Sequence, residues 1–415
     1  MSILAKHAQG KGGPDVIFAY SAQANKRAEA VGKENIVNAT IGAFLNADGS
    51  LKTMDTVEAA IESIPFAIGA NYAPINGLPE YIEAMTDSVL RDHRPAGTYT
   101  AGIATPGGTG ALHNGFFNYL NEGEVCLTTD YYWGNYKSLL SEMGRGLETF
   151  NTFTDDGHFD IASCKAACEA VAAKQTNVVL LLNTPAHNPT GFSVTDEEWQ
   201  EIIPMLTAIA NNGKNNVVLM IDTAYIDYAG PHARDFFEFF TNLPENFLVI
   251  VCASTSKGYT LYGYRLGLML CIAQSQAVCD EFELADGASA RATWSNCSRP
   301  AMEAVTLLNS DDAHRSAFRK EQDEFAASLA KRSDIFMKEA KEVGLAVCPY
   351  HSGFFIFVPT PTHEDAVAMF DVLADENIFA VPLGAGMRIA ICAVDDAKIP
   401  GMATKFKAAY DKVVK

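Results

Sequence analysis

Three short runs of uninterrupted apolar residues, 178–182 (VVLLL), 217–221 (VVLMI) and 247–253 (FLVIVCA), each stop abruptly at polar residues. A short run without alternation reads as a strand buried on both faces, as in parallel sheets covered by helices. Ahead of these runs, Met54, Val57, Ile61 and Ile64 fall at helical spacing before Pro65, and Leu78, Ile82, Met85 and Val89 repeat the pattern. Thr195 and Glu198 form a capping box for a helix between the first two runs. Strands alternating with helices in this way predict an α/β fold with a doubly wound, mostly parallel sheet. From about Glu303 the pattern changes. Phe318, Phe325, Leu329 and Phe336 line one face of a long helix ending near Gly344. Strands over 353–358 and 387–394, with two further helices, then make a smaller α+β domain.

Ligands of such sheets collect beyond the carboxyl ends of the strands. There the chain places 183–191 (NTPAHNPTG), 222–225 (DTAY) and 254–257 (STSK), with Arg265 eight residues after Lys257. On position alone Lys257 is a surface lysine after a strand. Deprived of water, however, its amine loses charge and becomes a nucleophile. The hydroxyls and guanidinium beside it suit a phosphate monoester. A glycine-rich turn at 105–112 (TPGGTGAL) opens another helix, which makes either a phosphate seat or a close helix–strand contact.

The balance of 31 basic against 50 acidic residues, net −19, argues against nucleic-acid and anionic-membrane partners. Any arginine pocket for an anion must be built locally against that charge. The nine cysteines include no C-x-x-C pair, and several sit in apolar runs, so buried reduced thiols of a cytoplasmic protein are expected. The first fifteen residues hold no apolar run of leader length, and no stretch is apolar for long enough to span a bilayer. His187 has no partner at metal-ligand spacing, so no metal is expected.

Taken in order, Asn188-Pro189-Thr190-Gly191, Asp222-Thr223-Ala224-Tyr225 and Ser254-Thr255-Ser256-Lys257 resemble the class I (aspartate/aromatic-type) aminotransferases, fold-type I pyridoxal-phosphate enzymes, from about residue 38 to 388. The resemblance implies a large cofactor-binding domain over 51–302 and a small domain over 303–415 joined by residues 1–50. It makes Lys257 the Schiff-base lysine and proton shuttle, and Asp222 the partner of the pyridinium nitrogen. Tyr225 and Asn188 would bond the ring oxygen. Arg265, Ser254, Gly108 and Thr109 would hold the phosphate, and Trp133 and Ala224 would flank the ring. Ser256 is the weaker phosphate candidate, because its side chain alternates to the other face of an extended segment.

The resemblance also sets Gly42, Trp133, Asn188, Arg388 and Arg291 against substrate. Arg388 would grip the α-carboxylate, and Arg291 would reach a distal carboxylate across a homodimer interface. Tyr72 would reach the neighbouring subunit's phosphate, so active sites are shared. Ile41, Phe44 and Trp294 are candidates for an apolar pocket that admits aromatic donors. The implied reaction is a ping-pong transfer between aspartate or glutamate and a 2-oxo acid such as 2-oxoglutarate. Aromatic donors, or another fold-type I reaction such as a lyase or decarboxylase, are the alternatives. An idle cofactor-binding regulator would lack support from any appended basic helix pair. Two positions depart from the family pattern: Gly107 replaces a frequent serine, and Tyr136 replaces the histidine behind the ring aspartate. The second leaves open whether Asp222 has a partner there.

Overall fold

Each of the three apolar runs is a strand of one sheet in the computed structural model, which describes residues 2–13 and 15–414. Met1, Pro14 and Lys415, which the sequence reading includes in its terminal segments, lie outside the described residues. The chain forms two compact units. One comprises Lys52–Ser333 and Cys348–Phe355; the other comprises residues up to Leu51, Asp334–Val347 and those from Ile356 onward.

The first unit is built on seven strands: β1 (Tyr99–Thr105), β2 (Val125–Thr129), β3 (Gly146–Phe150), β4 (Asn177–Asn183), β5 (Asn216–Asp222), β6 (Phe247–Ser254) and β7 (Gly267–Ala273). Their order is β1-β7-β6-β5-β4-β2-β3. Only β7 runs antiparallel to its neighbours. The central strands are buried almost throughout, which explains their lack of alternation: both faces are covered. Register then decides where the chemistry lies. Asn183 pairs with Asp222, Asp222 with Cys252, Ser254 with Gly267, and Gly267 with Thr105. The carboxyl ends of β1, β4, β5 and β6 therefore share one sheet edge.

The expected break near 303 falls inside this unit. Helix Arg299–Leu308 buries Ala301, Met302, Ala304, Val305 and Leu308, and Phe318 stacks on Tyr259 with centroids 4.6 Å apart. The division instead falls at Ser333, inside the continuous helix Asp312–Val343. The apolar positions Phe318, Phe325, Leu329 and Phe336 keep helical spacing across it, so their pattern gives no sign of such a boundary.

In the second unit three strands follow the order Val381–Pro382, Gly386–Ala390, Phe355–Pro359. The strand expected over 387–394 stops at Ala390, because Ile391–Ala393 tightens into a 3-10 turn. Val37–Asn38 pairs in parallel with Ile378–Phe379, tying the N-terminal segment to this unit. All nine cysteines are buried free thiols. Among the described residues no helix is long and apolar enough to cross a membrane.

One core carboxyl has a stability consequence. Asp286, on helix Gln276–Thr293, is fully buried, and its oxygens accept from Asn118 Nδ2 at 2.6 Å and the Tyr119 hydroxyl at 3.3 Å. Burial pushes its pKa up to about 7, and the two neutral donors only partly offset this. A group raised in the folded state contributes stability at low pH that is lost as pH rises toward the folded value. Between pH 5 and pH 8, Asp286→Asn should therefore narrow the fall in unfolding free energy by roughly 2–3 kcal/mol in urea titrations. An unchanged fall would remove Asp286 as its source.

Candidate active site

Asp222, the last residue of β5, is only 6% exposed. Its Oδ2 accepts from the Tyr136 hydroxyl at 2.6 Å, its Oδ1 from the Ala224 N–H at 3.2 Å, and its main-chain oxygen from Asn183 Nδ2 at 2.8 Å. Burial raises the pKa of this carboxyl, opposed by the Tyr136 and Ala224 donors and by the charge of Lys257. Tyr136 lies fully buried in helix Asn135–Glu142, its ring edge-on to Trp133 at 5.6 Å. Burial, then the Asp222 charge, pushes the phenol far above its ordinary pKa, so it remains a donor. The departure from histidine thus supplies Asp222 with a neutral donor.

The loop after β4 brings Asn188 back to the sheet edge, where its N–H donates to Asn183 Oδ1 at 2.7 Å. Asn188 Nδ2 donates to the Tyr225 hydroxyl at 3.4 Å, and the buried Asn188 Oδ1 accepts from no described residue. His187 bonds Thr190 Oγ1 at 2.8 Å, and burial lowers its pKa to about 4. Among the described residues no group of three histidine, cysteine or carboxylate side chains is arranged to hold a metal. Lys257 sits half-buried in the four-residue helix Thr255–Gly258. Its Nζ faces the rings of Tyr262 at 4.7 Å, Phe354 at 5.7 Å and Tyr225 at 5.9 Å.

Beside these groups β1 ends at Thr105, and helix Gly107–Tyr119 begins. Gly107 has φ +74°, which strains any other residue, and a Cβ there would stand 2.5 Å from Arg265 Nη2, so a side chain would displace the guanidinium. The Arg265 guanidinium is fixed by Tyr262 O at 3.0 Å, Ser256 Oγ at 3.3 Å and Pro106 O at 3.3 Å. Gly108 and Thr109 occupy the first helical turn, half-buried, where main-chain N–H groups have no intrahelical acceptor. Ser254 caps the lysine's helix, its Oγ accepting from the Ser256 N–H at 3.1 Å. Because the helix begins at Thr255, the extended alternation assumed for Ser256 does not hold. Its hydroxyl meets Arg265 instead of turning away.

Ala224 is half-buried just past β5, and Trp133, also half-buried, follows β2 and joins the cluster through Tyr136. Tyr72 and Arg291 are not joined to this cluster. Tyr72 is 83% exposed, with its carbonyl bound by Arg299, and exposed Arg291 donates to Ser295 Oγ. In the second unit Arg388 occupies the middle strand, 2% exposed, and donates to Thr40 O at 2.8 Å. Gly42 lies two residues beyond Thr40, half-buried, whereas Phe44 is fully buried and therefore core. Sequence reasoning overlooked Tyr262 and Phe354 around the lysine. Tyr262 stands only three residues before Arg265 and was within reach of a motif reading; Phe354 is distant in sequence and carried no signal.

A family model described as "Aminotransferase class I and II" matches residues 34–406. The chain belongs to this family. Among solved structures similar to this class I and II aminotransferase chain, an aminotransferase from Anaerococcus prevotii is 36% identical, with a TM-score of 0.95 over 98% of this chain and 99% of that one. An aromatic-amino-acid aminotransferase of Paracoccus denitrificans is 30% identical over 265 residues, 62% of this chain and 63% of the relative. Cytoplasmic isozyme 2 of aspartate aminotransferase from Arabidopsis thaliana is 25% identical over 252 residues, 60% of each. The match thus spans less than two thirds of either curated relative.

Proposed function

We infer that the protein is a pyridoxal-phosphate-dependent aminotransferase moving an amino group between an L-amino acid and a 2-oxo acid. One observation carries this reading: a lysine amine, a buried carboxyl with neutral donors and an anion seat share one sheet edge. The residues fit the cofactor. The desolvated Asp222 carboxyl favours a cationic ring N–H beside it, and the side-chain-free cradle at Gly107 lies against Arg265. When bound, pyridoxal phosphate supplies an aldehyde carbon to carry nitrogen and a ring that withdraws electrons from the substrate's α-carbon.

In this reading the Lys257 amine would hold the cofactor at its aldehyde carbon, and Nζ would carry the proton that moves at the substrate's α-carbon. Asp222 holds the proton on the ring nitrogen. Tyr225 and Asn188 donate to the ring oxygen. Arg265, Ser254, Thr109 and the N–H groups of Gly108 and Thr109 hold the phosphate, while Trp133 and Ala224 cover the ring faces against water. Arg388 and the Gly42 main chain take the substrate α-carboxylate. Arg291 takes a distal carboxylate, and Tyr72 reaches the phosphate of a second copy, so the working unit is a homodimer, placed in the cytoplasm.

The cycle is two half-reactions, with aspartate or glutamate as donor and 2-oxoglutarate as acceptor. The Paracoccus relative's name supports aromatic donors as the second reading. A donor screen with 2-oxoglutarate, repeated on Arg291→Leu, separates the two. The expected result is a loss of about 100-fold in kcat/KM confined to acidic donors, as for one broken charge pair. Equal activity of the variant on every donor removes Arg291 from the pocket. Release of ammonia without any acceptor would indicate a lyase instead.

A further inference from the structure

The helix carrying Lys257 has only four residues, too few to hold its own shape, since helix nucleation alone is unfavourable. A helix end leaves its last carbonyls short of intrahelical donors, and here Lys257 O takes a backbone bond from beyond the helix, from the Thr260 N–H at 3.1 Å. Side chains from remote parts of the chain meet the helix's last two carbonyls. The Tyr228 hydroxyl donates to Lys257 O at 3.0 Å, and Gln322 Nε2 donates to Gly258 O at 2.8 Å. Asp227 packs against the open face of Gly258, where a Cβ would come within 1.9 Å of its Oδ2. Asp227 is held in turn by Arg234 Nη2 at 2.6 Å, and Arg234 by Val89 O at 2.9 Å and Ser88 O at 3.2 Å. Tyr228, Gln322 and Arg234 are all 5% exposed or less, so these bonds are shielded from water.

We propose that Tyr228, Gln322 and the Asp227–Arg234 pair form a bracket of positioning residues that fixes the backbone of Lys257 and so aims its amine. This rests on the reading of Lys257 given above. A lysine on a four-carbon stem reaches many places, and its Nζ is productive in few of them. Fixing the Cα and the adjoining carbonyls removes part of that freedom before substrate arrives. None of these four side chains is among those read above as holding cofactor or substrate. Loss of the bracket therefore acts on the chemical step rather than on binding.

The test uses holoenzyme carrying Gln322→Leu or Tyr228→Phe, each of which keeps shape and removes one donor. Tyr228→Phe also retains the ring packed on Phe354 at 4.9 Å, so a folded variant is secured. Three quantities are read: the first-order rate of 2-oxo acid release at saturating donor, the donor concentration at half-saturation, and the pH midpoint of the bound cofactor's absorbance change. The expected outcome is a rate lower by about tenfold in each variant, with half-saturation within about twofold and a displaced midpoint. Wild-type rates and an unmoved midpoint, even with a lowered melting temperature, make the bracket merely structural and overturn the proposal. If the unsubstituted protein gains no absorbance with pyridoxal phosphate, it is the reading of Lys257 that fails. If it does and the variants match it, only the bracket falls.

Discussion

Replacing Lys257 by alanine lowers amino-group transfer from every donor by about 10⁴-fold, the upper range for removing a positioned proton carrier. The protein still retains pyridoxal phosphate. Retention is expected because the groups read as holding the phosphate and ring come from other strand ends. Arg265 keeps its bonds to Tyr262 O and Pro106 O, and Asp222 keeps Tyr136 and Ala224. Equilibrium dialysis with the cofactor, alongside a donor-only assay of 2-oxo acid release, separates retention from chemistry. Residual transfer within tenfold of the unsubstituted protein would assign the proton movement to another group.

Asp222→Asn has the second largest effect, a loss of about 10²–10³-fold in turnover, as when a preorganised electrostatic partner is removed. An amide cannot balance a cationic ring nitrogen. Tyr136→Phe removes one hydrogen bond to a charged acceptor, worth about 1.5–3 kcal/mol, and leaves the carboxylate in place, so its effect is smaller. The phenol is one of the groups holding down the Asp222 pKa, so its removal lets burial raise that pKa further. Cofactor affinity in Tyr136→Phe should then fall more steeply on acidification than in the parent. Without cofactor, Asp222→Asn acts in the opposite sense on stability. A carboxyl raised by burial loses its stabilising contribution as pH rises through the folded value, so the asparagine variant should be the more stable apo-protein at pH 8. Urea titration of the cofactor-free proteins reads this directly. A less stable Asp222→Asn would mean that the bonds from Tyr136 and Ala224 outweigh desolvation.

Much of the sheet was legible because its strands are short, apolar and buried on both faces. The ends of those runs located the polar segments 183–191, 222–225 and 254–257, but roles for Asn188, Asp222, Tyr225, Ser254, Lys257 and Arg265 came only from the resemblance, since on position alone Lys257 reads as a surface lysine. The glycine turn at 105–112 was legible as a turn opening a helix but not as a phosphate seat or a packing contact; the positive φ of Gly107 came only with the structure. What escaped were contacts made across long sequence separations. Gln322 meets Gly258 over 64 positions, and Tyr136, set behind Asp222 only by the resemblance, meets it over 86 with a bond the sequence left open. Periodicity carries no record of such pairs. Ser256 was misplaced because a four-residue helix is too short to leave a pattern, and alternation was assumed where a turn begins. The boundary at Ser333 was invisible for the opposite reason, lying inside a long helix whose backbone continues through it without a break.

The most direct measurement is to incubate the purified protein with pyridoxal phosphate, reduce it with borohydride, digest it and weigh the peptides. A single cofactor adduct on the peptide containing Lys257 is the predicted result. A protein that stays colourless and carries no adduct, or carries it on another lysine, contradicts the placement of the reactive amine at the end of β6.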